Sequence, residues 1–122
     1  MNMSNKEIVR RFYEEVFNAW DTGRLERYMR ADYRQHNPTV ADGLEGFRAF
    51  TERFFAQHPR MEIIHIAEDG DMVMVFFKCT VDSGVNKVCD IYRLEDGLLA
   101  EHWDVVQHID PTQKSANDNG QF

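Results

Sequence analysis

The chain has 122 residues, the length of one domain, and a formal net charge of −7. This charge argues against binding to a nucleic acid, because phosphate backbones are bound by clustered lysine and arginine side chains. No apolar run approaches the roughly 20 residues of a membrane-spanning helix, so no membrane partner is expected. The first residues lack the apolar core of a signal peptide, and we expect a cytoplasmic location. Cys79 and Cys89 form no metal motif and indicate free thiols in a reducing compartment.

Three helices are predicted in the first half of the chain. Ser4 and Glu7 form a capping box, and apolar residues then recur at helical spacing as far as about Trp20. Residues 31–36 favour a short strand or an extended segment, and a loop begins at Asn37 because a proline follows it. The predicted helices cover residues 5–20, 25–29 and 44–57.

The rest of the chain is predicted to consist of strands and a polar tail. The strands cover residues 61–68, 71–82, 86–94 and 98–108. The apolar run at 73–77 is typical of a central strand that is covered on both faces. Residues 109–122 are polar and predict a loose tail. Three helices followed by a four-stranded antiparallel meander predict an α+β domain over residues 4–108, with the helices on one face of a curved sheet.

The hairpin between the last two strands carries Asp90 and Asp104, and its register decides whether they share a face. A two-residue loop at 96–97 would put the two aspartates on opposite faces. A three-residue loop at 95–97, followed by a bulge, would pair Asp90 with His102 and put both aspartates and His102 on one face. We favour the second register, because it brings an acid and an imidazole together across the strands.

Composition leaves open which face of this hairpin points inward. If the Asp90 face covers the helices, three ionisable groups lie in an apolar setting, which is costly unless they pair or do chemistry. The outer face would then show Ile91, Trp103 and Val105, a patch suited to a homodimer contact. If the faces are reversed, the acids are solvated.

Several segments, taken with the order of the elements, are similar to a known family. They are Tyr33-Arg34-Gln35-His36-Asn37-Pro38, Gly43-Leu44-Glu45-Gly46-Phe47, Asp90-Ile91-Tyr92-Arg93-Leu94-Glu95-Asp96-Gly97 and Glu101-His102-Trp103-Asp104. Over about residues 5–108 the chain resembles the SnoaL-like branch of the nuclear transport factor 2-like superfamily. The resemblance implies a cone-shaped fold, in which a bent sheet wraps the helices and leaves a pocket at the wide end. It also implies dimerisation through the sheet.

The resemblance further implies roles for individual residues. In the polyketide cyclases of this family an aspartate on the last strand is the general base of an intramolecular aldol condensation, and Asp104 matches it. Those cyclases carry a histidine where this chain has Asp90, so the chain departs from their pattern there. The pocket asparagine in the loop after the first strand matches Asn37, and His36 beside it is typical of uncharacterised SnoaL-like proteins.

The leading hypothesis is an enzyme that acts without a cofactor on a small apolar carbonyl compound, by aldol, isomerase or lyase chemistry. Asp104 would abstract a proton, assisted by His102 or Asp90. His36 and Asn37 would hold the developing oxyanion. The alternatives are a non-catalytic module that binds a small molecule, and a dimeric interaction protein with a filled cavity.

Aromatic residues at helical and strand spacing are candidates for the wall of a pocket, although such residues also form ordinary cores. A metal site among His36, His102 and the aspartates is not expected, because no spacing motif supports it. The aromatic candidates are Tyr13, Phe17, Trp20, Tyr28, Phe54 and Phe76.

Overall fold

In the computed structural model, which describes residues 2–122, helices pack against one face of a five-stranded sheet. The helical elements are α1 (Asn5–Phe12), a π-helical turn (Tyr13–Phe17), α2 (Leu25–Tyr28) and α3 (Gly43–Phe55). The strands are β1 (Met29–Gln35), β2 (Arg60–Asp69), β3 (Met72–Val81), β4 (Gly84–Glu95) and β5 (Leu98–His108). None of the described helices is long and apolar enough to cross a membrane.

The first helix follows its sequence signals at both ends. The hydroxyl of Ser4 accepts a hydrogen bond from the backbone N–H of Glu7, as an N-terminal cap does. The π-helical turn continues α1 without a break, and Trp20 then adopts a left-handed φ of 53°. The chain therefore leaves the helical conformation close to the predicted end.

The sheet has the strand order β1-β5-β4-β3-β2, in which β2 to β5 form the predicted antiparallel meander. The predicted α+β fold class is confirmed, with one addition: β1 pairs with β5 in parallel, so that Gln35 lies beside His102. This pairing joins segments that are far apart in sequence, and local patterns do not reveal such partners.

The register of the β4–β5 hairpin differs from the predicted one. Asp96 and Gly97 form a two-residue turn with positive φ at both positions (51° and 76°), which is the geometry of a tight type I′ hairpin. A bulge then adds Ala100 to β5, and Asp90 pairs with Asp104. The prediction of a three-residue loop, with Asp90 opposite His102, was therefore wrong. Asp90 and Asp104 nevertheless lie on one face of the hairpin. The two-residue loop alone would put them on opposite faces, and the extra residue Ala100 reverses that effect.

The face of the hairpin that carries Asp90 points into the molecule. Asp90 is 5% exposed and His102 is 6% exposed, and both lie beside the apolar core. Strand β3 alternates between buried and half-buried positions, so the expectation that both of its faces are covered was wrong. Its buried side chains, including Val75 and Phe77, face the helices, and Phe76 faces outward.

Candidate active site

A cavity of about 200 Å³ opens between α3, the π-helical turn and the inner face of the sheet. Most of its wall is apolar and includes five phenylalanines: Phe17, Phe47, Phe50, Phe54 and Phe77. One end of the cavity is polar and is formed by Gln35, Asn37, Asp90, Tyr92, His102 and Asp104. An apolar cavity with a few convergent polar groups is the usual form of a small-molecule site.

Asp90 is surrounded by donors. Its Oδ2 accepts hydrogen bonds from the hydroxyls of Tyr13 and Tyr92, the second at 3.0 Å. Its Oδ1 lies 2.9 Å from Nε2 of His102. Burial, and then the nearby Asp90 carboxylate, raise the pKa of both tyrosines well above the usual 10. The phenols therefore stay protonated and donate to Asp90, and His102 is the third group directed at this carboxylate.

His102 is held between two acceptors. Its Nδ1 lies 2.7 Å from Oε1 of Gln35, and the same oxygen accepts the backbone N–H of Asn37 at 2.9 Å. Both ring nitrogens of His102 therefore face acceptors, an arrangement that the doubly protonated ring satisfies. Burial opposes a charge on the ring, but the carboxylates of Asp90 and then Asp104 outweigh it, and the pKa of His102 is raised above 6.5. The surroundings therefore favour the imidazolium form at the polar end of the cavity.

Asp104 has fewer partners than Asp90. Both of its carboxylate oxygens accept from the side-chain amide of Asn37, at 2.9 and 3.1 Å. Its Oδ2 is 3.9 Å from Nε2 of His102, which is an ionic contact and too long for a direct hydrogen bond. The side chain of Asp104 is 15% exposed, against 7% for Asp90. Because a carboxylate offers about four lone-pair sites, Asp104 keeps accepting capacity that is turned to the cavity.

Comparison with known proteins agrees with this arrangement of fold and pocket. A family model described as SnoaL-like domain matches residues 9–102. The chain belongs to the SnoaL-like family. The match spans most of the described fold and includes Asp90 and His102, but it ends before Asp104.

Solved structures share the fold of this SnoaL-like chain. TsrD from Streptomyces laurentii is 24% identical, with a TM-score of 0.69 over 86% of this chain and 91% of that one. An NTF2-like protein of unknown function from Cytophaga hutchinsonii is 13% identical, with a TM-score of 0.76 over 88% and 93%. A SnoaL-like polyketide cyclase from Agrobacterium tumefaciens is 17% identical, with a TM-score of 0.73 over 87% and 93%. At these identities the likeness shows the fold alone, and no curated protein matches the chain.

Around the cavity, the SnoaL-like fold brings together six of the residues that the sequence singled out. Five of them lie on the inner face of the sheet or in the helical elements that face it, and Asn37 lies in a loop. Asn37 lies in the predicted loop, but its amide is directed at Asp104, so it positions that carboxylate. The six residues are Phe17, Asn37, Phe54, Asp90, His102 and Asp104.

His36 does not lie in the cavity. Its ring stacks on Trp103, with 4.8 Å between the ring centroids, and its Nε2 lies 2.6 Å from Oε2 of Glu101. Neighbouring residues of an extended segment point to opposite faces, so Gln35 faces inward and His36 faces outward. The predicted oxyanion contact from His36 is therefore excluded by its position.

Four predicted wall residues also lie away from the cavity. Trp20 is 47% exposed and donates from Nε1 to the carbonyl of Pro59. The hydroxyl of Tyr28 bonds to Glu15, Tyr13 is buried behind Asp90, and Phe76 packs on the outer face. Phe77 takes the place predicted for Phe76, and the alternation of buried residues along β3 is the signal that identifies it.

The contributors to the site that were not among the predicted site residues include Gln35, Tyr92 and Cys79. Tyr92 follows from the hairpin register, because it pairs with His102. Gln35 has no local signal, since only the parallel pairing of β1 with β5 brings it to His102. Cys79 is a neutral wall group, because burial, and then Asp90, raise the pKa of its thiol to about 12.

Asp90, His102 and Asp104 also offer one ligand atom each within 4.8 Å of one another, a spacing at which they could hold a metal ion. Metal ligands must be deprotonated, and the hydrogen bond of 2.9 Å between Nε2 of His102 and Oδ1 of Asp90 requires a proton on one of them. A cation at this position would therefore have to displace that proton.

Proposed function

We propose that the chain is an enzyme that removes a proton from the carbon next to the carbonyl of a small apolar compound, without a cofactor. Asp104 is the general base. The observation that carries this proposal is the difference between the paired aspartates: three donors hold Asp90, whereas Asp104 keeps lone pairs turned to the cavity.

The neighbours of Asp104 support this role. Asn37 holds both oxygens of the carboxylate from one side and so fixes its orientation. The apolar wall limits the water that would otherwise solvate the base and the substrate. A positioned carboxylate of this kind contributes about 10²- to 10⁴-fold to a proton transfer.

His102 supplies positive charge beside the base. Its two N–H groups are directed at Gln35 and Asp90, so the ring acts through its charge. When the substrate loses its proton, negative charge develops on the carbonyl oxygen, and a fixed imidazolium in a dry cavity stabilises it. Asp90 and Gln35 are positioning residues, because they keep His102 charged and oriented.

Aldol, isomerase and lyase reactions of carbonyl compounds can share this first step, so the test measures the step itself. The probe is 2-tetralone, a two-ring ketone, and ¹H NMR in D₂O follows the exchange of its α protons. We expect the wild-type chain to accelerate exchange and Asp104→Asn to reduce the acceleration by about 100-fold or more. Asp110→Asn, which removes a fully exposed carboxylate, is the matched control. Equal exchange by wild type and Asp104→Asn would contradict the role of Asp104.

A non-catalytic binding module is the second candidate, and the five phenylalanines of the wall favour it, because they suit an apolar ligand whether or not it reacts. This candidate predicts that 2-tetralone raises the melting temperature while its α protons exchange at the uncatalysed rate. The third hypothesis, a filled cavity, disagrees with the open volume of about 200 Å³.

The homodimer stays a proposal that rests on the outer face of the sheet. Val105 is 67% exposed there, and Ile91 and Trp103 are half-buried beside it. Analytical ultracentrifugation should show a dimer for the wild type and a monomer for Val105→Glu, and a monomeric wild type would contradict the proposal. A cytoplasmic location also stays a proposal; Cys79 and Cys89 are free thiols, which suits a reducing compartment.

A further inference from the structure

We infer that the cavity selects uncharged carbonyl compounds of one or two rings and rejects carboxylates of the same shape. This inference rests on the proposed function, because it assumes that Asp104 stays free to act as a base. It adds the charge and the size of the substrate, which neither the family nor the similar structures specify.

The charge of the lining is the first argument. The ionisable groups at the polar end are Asp90, Asp104 and His102, so that two carboxyl groups face a single imidazole, which can offset at most one of them. Among the described residues, no lysine or arginine lines the cavity. A ligand carboxylate would lose its water, meet a site of net negative charge and find no cation of its own to pair with. An uncharged carbonyl meets no such repulsion.

The proposed chemistry argues for an uncharged substrate over a cation. Asp104 is the carboxylate with more free accepting capacity, and an ammonium group would pair with it. That pairing would occupy the lone pairs that the proposed proton transfer needs. The five phenylalanines in the wall then suit a flat apolar body attached to the carbonyl.

The volume sets the size of the ligand. An apolar cavity of about 150 Å³ accepts benzene. A cavity of about 200 Å³ therefore accommodates one ring with a carbonyl group and part of a second ring. A third ring would extend past the rim, where Val106 is 52% exposed although its side chain lines the cavity.

Calorimetric titration with a matched set of ligands tests the charge. The pair 2-acetylnaphthalene and 2-naphthoate differs little in shape, but only the second is an anion. We expect the ketone to bind at least about 30-fold more tightly than 2-naphthoate, because burying a charge without a partner strongly weakens binding. Equal affinity for the two would overturn the charge selection.

A ring series tests the size. From acetophenone to 2-acetylnaphthalene the affinity should rise about tenfold, because the added ring buries further apolar surface. From 2-acetylnaphthalene to 2-acetylanthracene it should rise less than twofold, because the third ring stays outside the cavity. A second tenfold rise would overturn the size limit.

A charge placed at the rim sharpens the test without burying a new group. Val106→Lys brings an ammonium to the cavity, and we expect it to reduce the preference for ketone over 2-naphthoate by about tenfold or more. Gln107→Lys is the control, because it adds the same charge at the next residue, which is exposed on the opposite face of the strand. An unchanged preference in Val106→Lys would overturn the electrostatic explanation.

These binding results are separable from the proposed catalysis. If the ligands follow the expected order but 2-tetralone shows no accelerated exchange, the selectivity holds and the general-base role fails. If exchange is accelerated but 2-naphthoate binds as tightly as the ketone, the general-base role holds and the inferred selectivity fails.

Discussion

The polar end of the cavity has two sides. We call the side that holds Asp90 the closed side and the side that holds Asp104 the open side. On the closed side, Asp90 is bound by Tyr13, Tyr92 and His102. On the open side, the side-chain amide of Asn37 is the one described group that donates a hydrogen bond to Asp104. The two aspartates pair directly across β4 and β5, so strand position does not distinguish them.

The difference shows that the role of a carboxylate is set by the donors around it. On the closed side, three groups are directed at Asp90, and its carboxylate in turn raises the pKa of His102. The open side leaves Asp104 with lone pairs for a ligand. Paired titratable groups in unlike environments commonly divide the work of acid–base chemistry in this way.

The largest effect on stability is expected from Asp90→Asn. This change removes one partner of a buried ion pair, so it should lower the free energy of unfolding by about 3 kcal/mol. Urea denaturation at pH 6 measures it. Asp104→Asn is the matched variant, and we expect a loss of less than about 1 kcal/mol because that side chain is less enclosed. Equal losses would contradict the division into a closed and an open side.

A smaller loss is expected from Tyr92→Phe. The change removes one of three donors to Asp90, and a hydrogen bond to a charged group contributes about 1.5–3 kcal/mol. Tyr28→Phe is the control, because its hydroxyl bonds to Glu15, whose side chain is 32% exposed. We expect about 2 kcal/mol for Tyr92→Phe and less than about 1 kcal/mol for Tyr28→Phe in the same urea experiment. The reverse order would show that the closed side is not the better bonded one.

The smallest expected effect is on the pH dependence of stability. Because the pKa of His102 is raised in the folded state, the ion pair contributes fully below the unfolded value of about 6.5. The contribution is lost as the pH rises through the folded-state pKa. The stability advantage of the wild type over His102→Gln should therefore shrink from pH 6 towards alkaline pH. An advantage that stays constant or grows would contradict a charged His102.

NMR titration of the imidazole checks the cause of that pH dependence directly. The pKa of His102 should lie above 6.5 in the wild type and fall in Asp90→Asn, since the first carboxylate that opposes burial is then gone.

The sequence was sufficient for the order of the elements and for the shared face of His102 and Asp104, because strand alternation and helical spacing are local properties. The shared face with Asp90 was predicted from a wrong register, and the bulge at Ala100 is what brings it about. The sequence was not sufficient for the partners of these residues. Gln35 reaches His102 through a parallel pairing between segments that are distant in sequence. The bulge at Ala100 arises from backbone pairing, which no residue type at that position predicts.

Two of the misplaced residues have the same physical origin. His36 and Phe76 were assigned to the cavity by residue type, yet each is one position away from the residue that points inward. A shift of one residue along a strand moves a side chain to the other face. Side-chain chemistry therefore identified candidates, and only the register selected among them.

The most direct test of the difference between the two sides is a crystal structure of the chain with 2-tetralone bound. We predict that an α carbon of the ketone lies within about 3.5 Å of a carboxylate oxygen of Asp104, the distance of a reactive contact. Asp90 should keep its bonds to Tyr13, Tyr92 and His102. An α carbon placed against Asp90, or a ketone whose carbonyl end points to the phenylalanines, would contradict the assignment of Asp104 as the base.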